Sequence, residues 1–454
     1  MSMRRRPKEA QPEMWIATSD LRSPGHPFYD RLNAVLREAK FDRFVEDRFE
    51  RFYVKGKGRP GIAPGVYMRM LLVGYFEGIS SERGIAWRCA DSLSLRQFLG
   101  LAMSESVPDH SSLSRIRTRI DVEAHQEAFD FVLQILASKG LLRGQTIGVD
   151  ATTLEANAAM RSIVRRDDGA TYDEYLTGLA KESGIETPTR EDLAKIDKKR
   201  EKKGSNDDWK HPHDPDARIV KMKDGRTHLA HKSEHAVDMD TGAVIGVTVQ
   251  EATLGDPTTM KATIVATVES LQAVKKHEHC AKELSDRALQ EWVADKGYHS
   301  NATMKMVEEV GLRSYIAEPK RGRRRWGEEL AARDGTYSNR RRMKTKRGKK
   351  LMRRRGELIE RSFAHCLETG GMRRVHLRGR ENILKRYLVH VAAFNLSLVM
   401  RLLIGFGTPR GLQGGLRGLA ATVWAWIRLV LDLRGHELRL VAVRPGSDSD
   451  LVPA

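Results

Sequence analysis

The hydrophobic period changes at Gly140, and that change divides the chain into an all-helical part and a part that must contain a sheet. From Pro64 to Gly140 apolar residues recur at helical spacing: Val66, Met70 and Val73, then Val122, Phe129, Val132 and Leu136. The last of these helices is predicted to stop at Lys139 and Gly140, a cation in the final turn followed by the residue that tolerates a left-handed cap. Val107-Pro108-Asp109-His110 interrupts the pattern, and Asp109 is placed to cap a new helix carrying Arg115, Arg117 and Arg119. One reading is a helix-turn-helix whose arginines reach base edges; an exposed basic helix with no groove to enter is an equal alternative.

Beyond Gly140, Thr146-Ile147-Gly148-Val149-Asp150 reads as a short strand, and His228 to Asp238 and Ala243 to Gln250 as two more, joined at Asp240-Thr241-Gly242 in a hairpin. A helix from Thr258 to Val274, a strand at Trp292 to Ala294, a helix near Ala302 to Val310 and a strand at Ser314 to Ala317 follow, and a last helix starts near Arg355. This order predicts an α/β class with a mixed sheet flanked by helices. A polar insertion after the first strand, 158–224, is too charged for a core. Within it helices are expected near Tyr172 to Leu179 and Glu191 to Lys199, and flexibility from Gly204 to Asp216.

At 454 residues and 40% hydrophobic content the chain can bury a sizeable core and divide into two or three domains. The apolar run from Gly418 to Ile427 stops at Arg428, short of the roughly 20 residues a bilayer-spanning helix needs. The basic N-terminus is not followed by an apolar segment, so a cytoplasmic protein is expected. Cys89, Cys280 and Cys366 lie far apart, which argues against a disulfide framework or a thiolate zinc site. The net charge of +19 is concentrated: 17 Lys or Arg against three acids between Lys320 and Arg355 leave +14 in that segment. Such a block, with Arg323, Arg324, Arg325, Arg340, Arg341 and Arg342 in it, suits a phosphate backbone that releases counterions on binding. A solvated surface loop is the weaker reading.

Two acids stand where predicted strands hand over to loops: Asp150 in Ile-Gly-Val-Asp-Ala-Thr-Thr and Asp295 in Trp-Val-Ala-Asp-Lys-Gly-Tyr-His. Ligands gather at strand ends in α/β sheets. The last helix offers a third, because Ile359, Phe363, Cys366 and Leu367 form an apolar stripe with Glu360 at its edge and Glu357 pointing away. Three carboxylates brought together by the fold would supply oxygen ligands for hard divalent cations. A pair of magnesium ions would then activate a water or 3′-hydroxyl and stabilise the leaving oxygen of an in-line displacement. For an isolated strand-end Asp a turn cap is the commoner role, so chemistry alone leaves the triad open. His231 and His235 fall at strand spacing and are expected to be solvated or hydrogen-bonded rather than a metal pair. Glu251 and Asp256 read as turn acids. His299 is near enough to Asp295 to touch a phosphate, with a capping or surface role equally open.

Ile-Glu-Arg-Ser-Phe-Ala-His, followed by Gly370-Gly371-Met372-Arg373-Arg374 and Ala392-Ala393-Phe394-Asn395-Leu396, resembles the C-terminal motif of bacterial insertion-sequence transposases of the DDE superfamily. Ala294-Asp295-Lys296-Gly297-Tyr298 and Gly148-Val149-Asp150-Ala151-Thr152 resemble that family's two aspartate motifs, and Pro108 to Arg117 its helical N-terminal module. The resemblance spans roughly residues 55 to 410. It implies a ribonuclease-H-like catalytic domain over 141–400 after a helical DNA-binding domain at 55–140, with an N-terminal segment 1–54 and a helical tail 401–454. It further implies Asp150, Asp295 and Glu360 as metal ligands for two Mg2+, or Mn2+ in their place. The implied partner is double-stranded DNA, both terminal inverted repeats and target, bound by a homodimer or higher oligomer. Lys296, His299, Arg361, Arg373 and Arg374 are further expected DNA contacts. Related enzymes often carry a Lys seven positions after the catalytic Glu, where this chain has Leu367. Either Arg361, Arg373 or Arg374 takes its place on phosphate, or this copy is impaired. The competing functions are a DNA-binding remnant that no longer cuts and a nuclease without strand transfer.

Overall fold

The computed structural model describes residues 25–54, 61–200, 204–222, 225–320, 322, 324 and 326–413. The expectations placed on the basic N-terminus, on Arg323 and Arg325, and on the apolar run 418–427 lie outside these residues.

The predicted helical stretch folds as Pro64–Glu77, Glu82–Asp91, Leu93–Leu99, His110–Arg119 and Val122–Ser138. Their ends follow the expected chemistry. The Asp109 carboxylate accepts the Ser112 N–H at 2.7 Å, and Gly140 closes the last helix at φ +71°. Residues 27–49, for which the pattern predicts no element, also form helices, Pro27–Glu38 and Phe41–Phe49. Their Phe28, Leu32 and Val45 join the same core.

Six strands build one sheet: β1 (Thr146–Glu155), β2 (Arg218–Lys221), β3 (Thr227–Asp238), β4 (Val244–Glu251), β5 (Glu291–Ala294) and β6 (Arg313–Ile316). β3 runs antiparallel to β1 from Ile147↔Asp238 to Glu155↔Ala230, and β2 and β4 both pair with β3. On the other side of β1, β5 is parallel from Thr146↔Glu291 to Gly148↔Val293, and β6 is parallel to β5. The mixed sheet is as expected, with two corrections: β2 comes from the end of the stretch read as a polar insertion, 158–224, and β1 does not end at Asp150. Its antiparallel ladder with β3 continues to Glu155, while its parallel partner stops at Ala294. Asp150 thus stands past the end of the parallel ladder, inside a strand that continues.

The helix Asp256–Lys275 covers one sheet face, where Thr267 fills the space above Gly246. On the opposite face lie Lys346–Ala364 and Arg380–Ile404, and β3 His235 bonds to both, through Ser362 Oγ and Tyr387 OH at 2.9 Å each. Burial pushes His235 down to about 3, so the ring is a neutral hydrogen-bonding core residue. His231 is likewise buried, against Asp214 at 3.2 Å. The helix Arg380–Ile404 is apolar and long enough by composition to cross a bilayer, yet most of it is buried within the protein. Its Arg386 guanidinium, wholly enclosed, donates to Leu71 O at 3.0 Å and so ties the N-terminal helices to the sheet.

Two regions depart from expectation. The insertion carries helices Tyr172–Glu182 and Arg190–Lys199 as predicted, but it also has a small core of its own in which Ile163, Trp209 and Ala217 are buried. The stretch expected to be flexible is anchored there: Trp209-Lys210 pairs with Val164-Arg165, and the enclosed Asp214 accepts the Gly379 N–H at 3.1 Å. From Leu330 onward the basic segment is not a loop either. It folds as Leu330–Lys344 and Lys346–Ala364, with Thr345 capping the second helix by accepting the Gly348 N–H at 3.0 Å. Glycines and cations dilute the helical period in the sequence. What orders the second helix is a narrow buried stripe, Leu351, Arg355, Ile359 and Ser362, laid on the sheet.

Candidate active site

Two residues beyond the pair Gly148↔Val293 stand Asp150, still on β1, and Asp295, one residue past the end of β5. Alternation along a strand points Asp150 to the same face as Gly148, under the helix Lys346–Ala364. Gly148 is what lets the helix come so near. A Cβ there would sit 2.6 Å from Met239 S and 3.2 Å from both Arg355 Cγ and Ile359 Cδ1. This approach sets Arg355 against the strand: its Nη1 donates to Val149 O at 2.9 Å and lies 2.9 Å from Asp150 Oδ2.

Burial raises the Asp150 pKa above its ordinary value, the Asp295 charge adds to the rise, and the Arg355 guanidinium opposes it without cancelling it. Asp150 Oδ1 accepts the Ala151 N–H at 2.8 Å, and Asp295 Oδ1 accepts the Gly297 N–H at 2.8 Å within the turn Lys296–Tyr298. Both carboxylates therefore keep one oxygen on backbone. Arg355→Gln is expected to lower stability by about 2 kcal/mol, because a largely buried carboxylate loses its counter-charge. Thermal melting checks this, and Asp150→Asn in the same chain should restore most of the loss.

Glu360 sits apart from this pair. At about 100° per residue it lies roughly 140° around the helix from Arg355, on the exposed side. Glu357 is also exposed and pairs with Arg361 at 2.9 Å. Among the described residues, no three His, Cys, Asp or Glu side chains converge tightly enough to hold a metal ion. The structure therefore brings Asp150 and Asp295 together and leaves the third member of the expected triad on the helix surface. The paired carboxylates fit a hard divalent cation by donor type, and the Arg355 guanidinium already places one positive charge against them. A closed three-carboxylate ligand set does not form.

The expected DNA contacts divide in the same way. Arg115 and Arg119 are exposed, whereas Arg117 is buried and ion-paired with Glu82, so it joins two helices instead of facing a groove. In the basic segment Glu318 takes Arg324 at 3.1 Å and Arg340 at 2.6 Å, and Arg342 donates to Ser314 O at 2.9 Å. Arg340 and Arg342 thus hold the helix Leu330–Lys344 to β6 and the residues just after it, and Arg324 shares Glu318 from the preceding segment, which corrects the reading of these cations as a uniformly free block. Arg341 and Lys296 are exposed. Exposed too are Lys344, Lys346, Lys349, Lys350 and Arg353, none of which was singled out from the sequence. Arg361, Arg373 and Arg374 face Glu357, Glu368 and Glu155 respectively. His299 is buried and lines a cleft of about 830 Å3 with Lys296, Glu318 and Lys320. The sequence reading also missed Arg355, although its position four residues before Ile359 puts it on the packed stripe, where an arginine needs a partner.

Two family models match the chain: the Transposase domain (DUF772) over residues 17–119 and the Transposase DDE domain over residues 319–400. The first covers most of the N-terminal helices, and the second the region containing both Arg355 and Glu360. Both matches support a DDE-type insertion-sequence transposase. No curated protein and no solved structure matches it. Asp150 and Asp295 lie outside both matched regions, so the place of these two residues in the transposase rests on register and geometry.

Proposed function

We propose that the transposase cuts DNA at the terminal inverted repeats of its element and joins the ends to target DNA, by phosphoryl transfer at the carboxylate pair Asp150 and Asp295. The observation that carries this reading is the placement of the two acids at matched register, Asp150 on β1 and Asp295 just past the end of β5, beside a cation on the covering helix. The strand arrangement supports a ribonuclease-H-like catalytic fold: an antiparallel set of β4, β3 and β1, then β5 and β6 parallel to β1. Glu360, on the exposed side of the same helix as Arg355, is the third acid of the reading. One or two divalent ions, Mg2+ or Mn2+, would supply Lewis-acid charge for the attacking and leaving oxygens. Arg355 keeps Asp150 oriented, and exposed Lys296 beside Asp295 offers a charge to the phosphate.

Sequence-specific contact falls to Arg115 and Arg119 on the helix His110–Arg119, and duplex backbone contact to the exposed cations of the helix Lys346–Ala364. The protein acts as a homodimer or higher oligomer on DNA in the cytoplasm. The deciding experiment incubates the full chain and Mg2+ with duplex carrying the inverted repeats that flank the reading frame, together with a target plasmid. Nicking at the repeat ends and joined products are expected. Nicking without joining would leave a nuclease, and binding without nicking a DNA-binding remnant.

A further inference from the structure

The helix Asp256–Lys275 begins on the sheet face opposite Arg355, yet its first residue reaches the Asp295 turn. A Cβ on Gly297 would collide with Asp256 Oδ2 and lie 3.0 Å from Asp295 Oδ1, so both carboxylates flank the one backbone position that has no side chain. Like charges so placed repel, and something must hold Asp256 there. Lys232, 5% exposed, does so: its Nζ donates to Asp256 Oδ1 at 2.6 Å, to Thr259 Oγ1 at 2.9 Å and to Leu254 O at 3.1 Å. The lysine is itself fixed from beneath by Glu234, wholly enclosed, 3.3 Å from Nζ. Glu234 in turn accepts from Thr259, Thr263 and, at 3.2 Å, Tyr298 OH. A chain of fixed charges thus runs from the core of β3 to the edge of the carboxylate pair, and Tyr298 at its end belongs to the turn that carries Asp295.

We propose that Asp256, clamped by Lys232, is a positioning residue for Asp295: it braces the Gly297 turn whose N–H orients the Asp295 carboxylate. A purely structural contact at this place would be met by a neutral side chain, without a second negative charge beside Asp295 and a buried ion pair to restrain it. Asp256 keeps the turn from relaxing away from β1, and its charge adds to the field a divalent cation meets there.

The inference rests on the carboxylate-pair reading above, and the test separates the two. Mn2+ is titrated by calorimetry into the DNA-free full chain, and melting is recorded for each variant. Asp150→Asn should lose most of the affinity. Asp256→Asn, which keeps the shape and an acceptor for Lys232, should weaken it about tenfold while melting with the unaltered protein. Gly297→Ala, which displaces the same turn without removing a charge, should weaken it comparably, and it carries the test if Asp256→Asn melts early. Unaltered Mn2+ affinity in Asp256→Asn, or in Gly297→Ala should that variant be needed, would overturn the positioning role. If Asp150→Asn also binds Mn2+ as tightly as the unaltered chain, the carboxylate-pair reading falls and takes the inference with it.

Discussion

Asp150→Asn and Asp295→Asn should each reduce Mg2+-dependent nicking of a repeat-end duplex by about 10²-fold or more, because removing one electrostatic contributor commonly costs that much. Residues acting as one unit lose nearly everything from any single change. The amides keep the shape and the backbone hydrogen bonds that Asp150 and Asp295 accept from Ala151 and Gly297, so folding and end binding should survive. Asp150→Asn also relieves a carboxylate whose burial already opposes ionisation, which argues further against a stability explanation for lost activity. Glu360→Gln is expected to be equally inactive. Its exposed position makes it the cleanest member of the series, since no packing is disturbed. Glu357→Gln should remain active, because that side chain serves only an exposed pair with Arg361. Full activity in Glu360→Gln with a dead Glu357→Gln would move the third acid to position 357, and activity in either Asp variant would remove the pair from the chemistry.

Replacing Lys346, Lys349, Lys350 and Arg353 together with Ala should flatten the dependence of log K on log salt by roughly 3 to 4, at about 0.9 per lost phosphate contact on duplex DNA. These side chains project from the exposed surface of a helix whose buried stripe is left intact, so the loss should appear in binding and not in melting. Arg324→Ala with Arg340→Ala is the informative contrast. Both guanidiniums are committed to Glu318, and their removal should change the slope little. Equal slopes for the four-residue variant and the unaltered chain would show that the helix Lys346–Ala364 does not meet DNA.

Much of the architecture was legible because it depends on local chemistry. The Asp109 cap, the Gly140 stop, the Asp240-Thr241-Gly242 hairpin and the strand-helix order after Gly140 rest on residues whose preferences act within a few positions. The pairing of Asp150 with Asp295 could be expected only because both follow short apolar strands. It was tertiary structure that set them at matched register, through a parallel ladder just three residues long. The roles of the cations were beyond the sequence for the same reason. Arg117, Arg340 and Arg355 look no different in a one-dimensional charge count from Arg115, Arg341 and Arg353. What separates them is whether an acid, Glu82, Glu318 or Asp150, stands across a packed interface within about 3 Å. Asp256 is the clearest case. By sequence it opens a helix after a hairpin, and it becomes a neighbour of Asp295 because Gly297 leaves room and a lysine buried on β3 offsets the repulsion. Helix caps and tight turns follow the chain locally, whereas the meeting of charges depends on which distant segments the core forces together.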